Sequence, residues 1–223
     1  MRIREVVPEA DYIRVAELIS SMEPEPWTAA ALHEQRLSMA PGQIAREMVA
    51  ERAGGCITGM SVVTRLPWWS PGRFGIVVIV DPAVRGQGIG TRLYAEALAW
   101  AEQQGSTRPE SRVRDDDALS LRFAQKQGYR IDRHLFNSAL ELADFDPAPF
   151  AGVVDDVKQQ GIRFFTMADL GDTLEARRKM YEVNRACTLD IPGRERTFSD
   201  FEQYQKRNFS SSSYRPELHL FAA

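Results

Sequence analysis

The sequence has little that would mark it for nucleic acid, for a membrane or for an oxidising exterior. Its formal charge is −3 over 223 residues, and its 28 basic residues are scattered rather than grouped into a stripe, so we do not expect nucleic acid as a partner. No apolar run approaches the roughly 18 residues of a membrane span, and the first residues lack the apolar segment of a signal peptide. These absences predict a cytoplasmic protein with no membrane partner.

Cysteine is scarce as well. Cys56 and Cys187 lie far apart and form neither a CxxC pair nor a spacing with histidine that suits zinc, so we expect no metal. Two such residues fit a reducing compartment better than a disulfide scaffold. We expect both side chains to be buried as small apolar groups.

Two well-known phosphate motifs are missing from the glycine-rich stretch of residues 85–91. The dinucleotide fingerprint would need a third glycine where Thr91 stands, and the P-loop would need a Gly-Lys-Ser/Thr sequence. The stretch nevertheless has a distinct setting. Five β-branched residues, 76–80, precede it, and apolar residues at helical spacing follow it over 93–101. The sequence predicts a strand buried on both faces, then a glycine loop, then a helix that ends at Gly105.

A glycine loop that opens a helix in this way exposes several backbone N–H groups at the positive end of the helix dipole, which suits a phosphate or pyrophosphate. Arg85, Gly88 and Gly90 fill the pattern Gln or Arg, two residues, Gly, one residue, Gly or Ala. The longer string Val-Asp-Pro-x-x-Arg-Gly-x-Gly-Ile-Gly begins at Val80. Together, the pattern and its setting resemble the coenzyme A loop of the GNAT N-acetyltransferase superfamily.

The order of elements in residues 1–143 is similar to that superfamily too. We expect the order β-α-α-β-β-β-α-β-α-β, which is an α/β (α+β) fold with a mixed, largely antiparallel sheet flanked by helices. Strands are expected at 2–7, 44–51, 56–66, 76–80, 110–113 and 129–142, with helices that begin near Pro8, Thr28, Gly90 and Asp117. In the first helix, the residues expected to face the core are Ile13, Ala16, Leu18 and Ile19. Thr28 is expected to cap the second helix, and the aspartate run 115–117 is expected to cap the last. The second and third strands are joined by a hairpin at Gly54-Gly55.

The resemblance implies acetyl-coenzyme A as the cosubstrate and an amine as the acceptor, either of a small molecule or of an exposed peptide. The backbone of Val78, Ile79 and Val80 would pair with pantetheine as if it were an added strand. The N–H of Ile79 would stabilise the oxyanion that forms on attack. The pyrophosphate would be held by Arg85, Gly86, Gln87, Gly88, Ile89, Gly90 and Thr91.

The chain departs from that family in the groups that move protons. Many members carry a Tyr five positions before the aromatic residue that Tyr129 matches, and this chain has Ala124 there. The Asn often found at the start of that helix is Asp117. A thiol with a pKa near 8.5 can leave without an acid, so the loss predicts a slower enzyme rather than an inactive one.

The general base is not identified by the resemblance, because the strand before the loop has no Glu. Glu51, His33 and Glu110 are the alternatives, and Glu51 is preferred for its place at a strand end near the predicted cleft. An N-acetyltransferase therefore stands beside a second hypothesis, a module that binds coenzyme A or an acyl-coenzyme A without turnover.

The turn segment of residues 67–72 carries Trp68 and Trp69. Their rings either pack on the edge of the sheet or line the acceptor site. The sequence leaves both interpretations open.

The remaining residues resemble the opening of a second copy of the same fold, so that the chain is similar to a tandem protein with an incomplete second copy. We expect a first domain at 1–146, a linker at 147–161 and the partial copy at 162–223. The copy would hold a strand at 162–166, a helix capped by Asp172, a helix near 198–207 and a strand at 217–221. Since a half copy buries little core, it is expected to pack on the first domain or to pair its last strand with a second chain, giving a homodimer.

Overall fold

The computed structural model describes residues 1–23, 25–136, 138–191, 197–211 and 213–223. Its strands are β1 (Arg2–Glu5), β2 (Ile44–Glu51), β3 (Ile57–Arg65), β4 (Arg73–Val80), β5 (Arg108–Glu110), β6 (Phe164–Thr166) and β7 (Leu220–Ala222). Its helices are α1 (Pro8–Ser20), α2 (Ala29–Leu37), α3 (Ile89–Gln103), α4 (Ala118–Lys126), α5 (Val153–Gln159), α6 (Leu174–Leu189) and α7 (Phe201–Phe209).

The described chain forms two compact units, and each is built from two pieces. One unit contains Met1–Arg112 and Arg185–Arg207, and the other contains Val113–Asn184 and Asn208–Ala223. These pieces do not follow the expected boundaries at 146 and 162, which stay a prediction, as does the second copy.

The first unit contains a five-stranded sheet in the order β1-β2-β3-β4-β5. The first four strands are antiparallel neighbours, and β5 pairs parallel to β4. The hairpin between β2 and β3 turns at Gly54 and Gly55, whose φ angles of 83° and 81° favour glycine. This largely antiparallel, mixed sheet confirms the predicted fold class.

Helices cover both faces of the sheet. Side chains of α1 and α2, such as Tyr12, Val15 and Leu32, pack on one face against Val49, Met60 and Ile79, all buried. The opposite face receives Ile89 and Leu93 of α3, which pack with Ala50, Val78 and Val80. The end of β4 is thus fixed from both sides, directly before the glycine loop.

Burial corrects two details of the predicted amphipathic pattern. Val77 of β4 is 43% exposed, so this strand is not covered on both faces along its whole length. Ile13, expected to face the core, is 69% exposed, whereas Tyr12 and Val15 are buried. The inward stripe of α1 runs through positions 12, 15, 16 and 18, of which 16 and 18 are as expected.

The closing strand predicted at 129–142 is wrong for the described residues of that segment, which exclude Asn137 and contain no strand. Arg130, Asp132 and Arg133 interrupt both alternating faces of the segment, so neither face is apolar enough to bury. In agreement, Ile131 and Phe136 are 79% and 87% exposed. The strand after α3 is also shorter and earlier than expected, at Arg108–Glu110.

The second unit contains a small sheet in which β6 and β7 are antiparallel. Backbone hydrogen bonds between Arg163 and Ala223, at 2.7 and 3.0 Å, close its end. The last strand therefore has a partner within its own chain, and the homodimer stays a prediction.

Asp172 does not cap α6 as predicted. The N–H of Ala176 donates to the hydroxyl of Thr173 at 3.2 Å, so Thr173 supplies the cap. The Asp172 carboxylate instead accepts hydrogen bonds from Arg177 and from the hydroxyl of Tyr214, each at 2.8 Å on Oδ1. It ties the start of α6 to the segment before β7.

Both cysteines are exposed, which corrects the expectation of buried thiols. Cys56 follows the two glycines of the β2–β3 turn, and Cys187 lies on a solvent-facing position of α6. Across the described residues, no helix is long and apolar enough to span a bilayer.

Candidate functional site

The loop after β4 begins with a tightly held aspartate. The N–H of Asp81 donates to the carbonyl of Thr58 at 3.0 Å, which extends the β3–β4 ladder by one pair. One carboxylate oxygen of Asp81 accepts from the N–H of Ala83 at 2.9 Å and the other accepts from the guanidinium of Arg14. The Ala83 N–H and then Arg14 lower the pKa of Asp81. The position where the chain leaves the sheet is therefore fixed.

Gly86 and Gly88 give the loop its shape. Their φ angles are +79° and +78°, a region that favours glycine, and Gly88 is the N-cap of α3. A Cβ at either position would meet no atom of the described residues within 4 Å. The protein thus leaves open space above both glycines, so a ligand can approach the backbone there.

Six consecutive backbone N–H groups, from Gly86 to Thr91, are available to bind a ligand. No residue in the part of the chain that the structure describes accepts a hydrogen bond from them, and the first helical bond of α3 is from Arg92 to the carbonyl of Gly88. Free N–H groups at a helix N-terminus, beside glycines that leave room, form a cradle for an anion.

Two guanidinium groups lie at this cradle. Arg85 donates through Nε to the carbonyl of Val80 at 3.1 Å, so its side chain folds back along the end of β4. Arg52, at the β2–β3 turn, donates to the side-chain oxygen of Gln87. The nearest acid at the start of the loop, Asp81, is compensated by Arg14. The local charge therefore favours an anionic ligand.

The register of β3 and β4 determines which backbone groups of β4 face outwards. In an antiparallel pair, hydrogen-bonded and non-hydrogen-bonded pairs alternate. Asp81 is bonded to Thr58, so Ile79 opposite Met60 is a bonded pair, and Val78 and Val80 are non-bonded pairs. The N–H of Ile79 points to β3, which corrects the expectation that it stabilises an oxyanion.

Val78 and Val80 present their backbone groups to the opposite side, where β5 would continue. The β4–β5 pairing ends at Gly75 and Glu110, so β4 extends five residues beyond it. Among the described residues no group bonds to the N–H or C=O of Val78, or to the N–H of Val80. An extended edge followed by an anion cradle fits a long ligand with amides at one end and phosphates at the other, as coenzyme A has.

The three candidate bases lie in different surroundings. Glu51 accepts from Nε of Arg4 at 3.1 Å, and its side chain is 22% exposed. His33 of α2 is half-buried, with its ring centroid 4.8 Å from that of Tyr12. Neither residue lies beside the edge of β4 that extends past the end of β5.

Glu110 is the candidate nearest to this open edge of β4, because it is the last residue of β5 and pairs with Gly75. Its carboxylate accepts from Nε of Arg73 at 3.0 Å and forms a 3.2 Å ion pair with Arg108. The guanidinium of Arg73 also lies 4.5 Å from the ring centroid of Trp69. Glu110 is thus held by two cations rather than left available as a base.

The tryptophans of the turn before β4 favour packing over a free pocket lining. A Cβ on Gly75 would lie 3.4 Å from the Trp69 ring, so this ring covers the strand. The guanidinium of Arg207 lies 5.5 Å from the ring centroid of Trp68.

Asp117 is the N-cap of α4, since its carboxylate accepts from the N–H groups of Leu119 and Ser120 at 3.1 and 3.0 Å. This confirms the capping predicted for the aspartate run. Ala124, which stands where many members of the superfamily carry Tyr, lies in the same helix.

Sequence reasoning missed Arg52 and Arg14, which contact the loop from 35 and 67 residues away. No local pattern marks either residue, because each is brought to the loop by the packing of β2 or α1. Groups of three or more His, Cys, Asp or Glu placed for a metal ion are absent from the described residues.

Comparison with known proteins gives a consistent result. Residues 12–129 match the model of the acetyltransferase (GNAT) family. The chain is 35% identical over 115 residues to the N-alpha-acetyltransferase RimI of Mycobacterium tuberculosis, covering 50% of this chain and 69% of that protein.

Solved structures share the fold. A mutant protein from Bacillus halodurans superposes with a TM-score of 0.51 at 20% identity, over 63% of this chain and 100% of that one. An aminoglycoside antibiotic 6'-N-acetyltransferase from Acinetobacter haemolyticus gives 0.50 at 20% identity, over 64% of this chain and 99% of that one. At such identities the likeness concerns the fold alone.

Proposed function

The chain belongs to the acetyltransferase (GNAT) family, whose members transfer an acetyl group from acetyl-coenzyme A to an amine, and we propose that its own acceptor is the α-amino group of a polypeptide. The observation that carries the assignment is the loop between β4 and α3. There, six N–H groups follow an open strand edge, neither has a backbone partner among the described residues, and the two glycines leave room for a ligand.

The residues that would hold acetyl-coenzyme A follow from this arrangement. The backbone of Val78 and Val80 would pair with the pantetheine amides, and the N–H groups from Gly86 to Thr91 would bind the pyrophosphate. Arg85 would add positive charge beside the phosphates. When bound, the cosubstrate supplies an acetyl group activated on a thiol. The N–H of Val78 would donate to the acetyl carbonyl, in place of Ile79.

The acceptor class follows from how the candidate bases are held. Glu110 is bound by Arg73 and Arg108, and Glu51 is bound by Arg4. Both oxygens of each carboxylate already face an arginine, so neither side chain is free to accept a hydrogen bond from an incoming amine. The protein therefore relies on the neutral fraction of the acceptor amine, whose proton is released to solvent.

This reliance separates two kinds of peptide amine. An α-amino group with a pKa of about 7.7–8.0 is neutral in roughly one molecule in ten at pH 7, whereas a lysine with a pKa of about 10.4 is neutral in roughly one in 2,500. The neutral fraction is therefore about 300 times larger for the α-amine, and the greater nucleophilicity of the neutral lysine amine offsets only part of this difference. The printed name of the Mycobacterium tuberculosis relative, an N-alpha-acetyltransferase, is consistent with this class of acceptor.

The test uses two matched peptides with acetyl-coenzyme A. One has a free α-amine and an acetylated lysine, and the other has an acetylated α-amine and a free lysine. We expect the first peptide to release free thiol and to be acetylated several times faster than the second, with a thiol assay and mass spectrometry as the two measurements. Equal rates, or a faster reaction at lysine, would contradict the α-amine assignment while leaving acetyl transfer intact.

A second candidate is a coenzyme A-binding module without turnover, which Ala124 favours because a catalytic Tyr is missing there. This candidate predicts tight binding of acetyl-coenzyme A with no thiol release for any amine. A cytoplasmic location would suit either function, since both need the intracellular coenzyme A pool.

A further inference from the structure

The turn between β2 and β3 brings a charged side chain to the glycine loop. The N–H of Arg52 donates to the carbonyl of Cys56 at 2.9 Å, and the N–H of Gly55 donates to the carbonyl of Arg52 at 3.2 Å. These bonds hold the turn at both ends. The β3–β4 register, with Gly59 opposite Val80, places this end of the hairpin beside the end of β4.

From there the Arg52 guanidinium donates to Oε1 of Gln87, the exposed residue between the two glycines of the loop. Gln87 is neutral, so the charge of Arg52 is not cancelled by this contact. No described carboxylate forms an ion pair with Arg52, and the neighbouring Glu51 is bound to Arg4. An uncompensated guanidinium thus lies at the edge of the anion cradle.

A guanidinium has five N–H donors in a planar fork that matches phosphate oxygens. The bond to Gln87 engages one amino group, Nη2, and leaves donors on the others. The bond also fixes the direction of a long side chain that would otherwise lose several rotamers when a ligand binds. Gln87 therefore preorganises Arg52 at the loop.

We propose that Arg52 binds a phosphate group of coenzyme A, and that Gln87 positions it. This inference rests on the proposed function, because it assumes that coenzyme A occupies the loop. The phosphate is either part of the pyrophosphate or the 3′-phosphate of the ribose, and both present the same oxygens to a guanidinium.

The experiment measures binding by calorimetry with two probes, coenzyme A and 3′-dephospho-coenzyme A, for wild type, Arg52→Gln and Arg52→Lys. Arg52→Gln should weaken coenzyme A binding about tenfold, and Arg52→Lys should weaken it less, because lysine keeps the charge but loses the fork. Loss with both probes assigns the contact to the pyrophosphate. Loss with coenzyme A alone assigns it to the 3′-phosphate.

Arg163→Gln is the matched control, since it removes one exposed arginine from the other compact unit. It should leave both affinities unchanged, and circular dichroism should show that all variants are folded. Gln87→Ala should weaken binding in wild type but have no further effect in Arg52→Gln, as expected of a positioning residue.

Two outcomes contradict different claims. If Arg52→Gln binds both probes as tightly as Arg163→Gln does, the proposal for Arg52 is overturned while coenzyme A binding stands. If wild type binds neither probe, the assignment of the loop itself is wrong. Salt dependence provides a further check, because losing a phosphate contact should reduce the slope of affinity against salt concentration.

Discussion

Arg14 and Asp81 join helix α1 to the first residue after β4. The guanidinium of Arg14 donates to one oxygen of the Asp81 carboxylate, and the other oxygen accepts the N–H of Ala83 at 2.9 Å. Arg14 also forms a 3.2 Å bond to the carbonyl of Ile57, at the start of β3. One helix side chain therefore fixes the point at which the chain turns into the glycine loop.

We predict that Asp81→Ala weakens acetyl-coenzyme A binding by about three- to tenfold, because a looser loop must be ordered when the ligand binds. Calorimetry measures the affinity, and thermal unfolding should show a folded protein. Asp116→Ala is the control, as Asp116 also pairs with an arginine, Arg114 at 2.5 Å, but belongs to the other compact unit. Equal effects of the two substitutions would contradict a role of Asp81 in shaping the loop.

A second prediction concerns Gly59, where β3, β4 and α3 meet. A Cβ at this position would lie 2.9 Å from the carbonyl oxygen of Ile79 and 3.1 Å from Leu93. Because backbone must shift to relieve such a contact, Gly59→Ala should reduce the free energy of unfolding by about 2 kcal/mol. Gly75→Ala, whose Cβ would make an ordinary 3.4 Å contact with Trp69, is the control for denaturant unfolding. A loss of stability no larger than that of the control would show that the junction adapts freely.

The pairing of Arg4 with Asp11 predicts how stability depends on pH. Asp11 is 3% exposed, accepts from Arg4 at 2.6 and 3.0 Å and from the N–H of Val7 at 2.7 Å. The hydrogen bonds from Arg4, more than that from Val7, lower its pKa. A lowered pKa in the folded state stabilises the protein above the unfolded value of about 3.9, and the stabilisation disappears as the pH falls through the folded pKa.

Asp11→Asn should therefore be less stable than wild type by about 2 kcal/mol at pH 7, and the difference should shrink below about pH 4. Denaturant unfolding between pH 7 and pH 2.5 measures it. Glu175→Gln, at an exposed pair with Lys179, is the control and should have little effect at any pH. A difference that stays constant with pH would mean that the ionised carboxylate is not what stabilises the pair.

A kinetic prediction follows from the proposed acceptor. The rate constant kcat/KM for the α-amine peptide should rise with a single ionisation near the amine pKa of about 8 and then stay level. No phenolic acid is expected, because Ala124 occupies the position where many family members carry Tyr. A falling limb near pH 9 to 10 would show that a tyrosine elsewhere has taken that role.

Local signals predicted the loop and the elements on either side of it. The β-branched run of residues 76–80 and the spacing of Leu93, Tyr94 and Ala97 depend on neighbours in sequence, and the structure confirms both the strand and the helix. Thr28 likewise caps α2 as expected, accepting from Ala31 at 3.1 Å. Gly88 is found at a positive φ, a conformation that its lack of a side chain allows.

Features that depend on distant contacts could not be predicted in this way. The exposure of Ile13 and Val77 depends on which face another element covers. Asp172 does not cap its helix, and its carboxylate instead accepts a hydrogen bond from Tyr214, 42 residues later. The outward direction of Val78 rather than Ile79 is a consequence of register, which a sequence does not specify residue by residue. Arg52 reaches Gln87 only through the fold.

The central claim is that the loop before α3 holds acetyl-coenzyme A, and Gly88→Glu tests it most directly against Gly152→Glu. Both glycines precede a helix in the left-handed conformation, at φ +78° and +86°, and no atom of the described residues lies within 4 Å of a Cβ built on either. The two substitutions thus introduce the same strain, about 1 kcal/mol, and the same charge. In calorimetry, Gly88→Glu should lose binding by 100-fold or more, since a carboxylate would face the pyrophosphate, while Gly152→Glu should bind as wild type does. Undiminished binding by folded Gly88→Glu would contradict the claim.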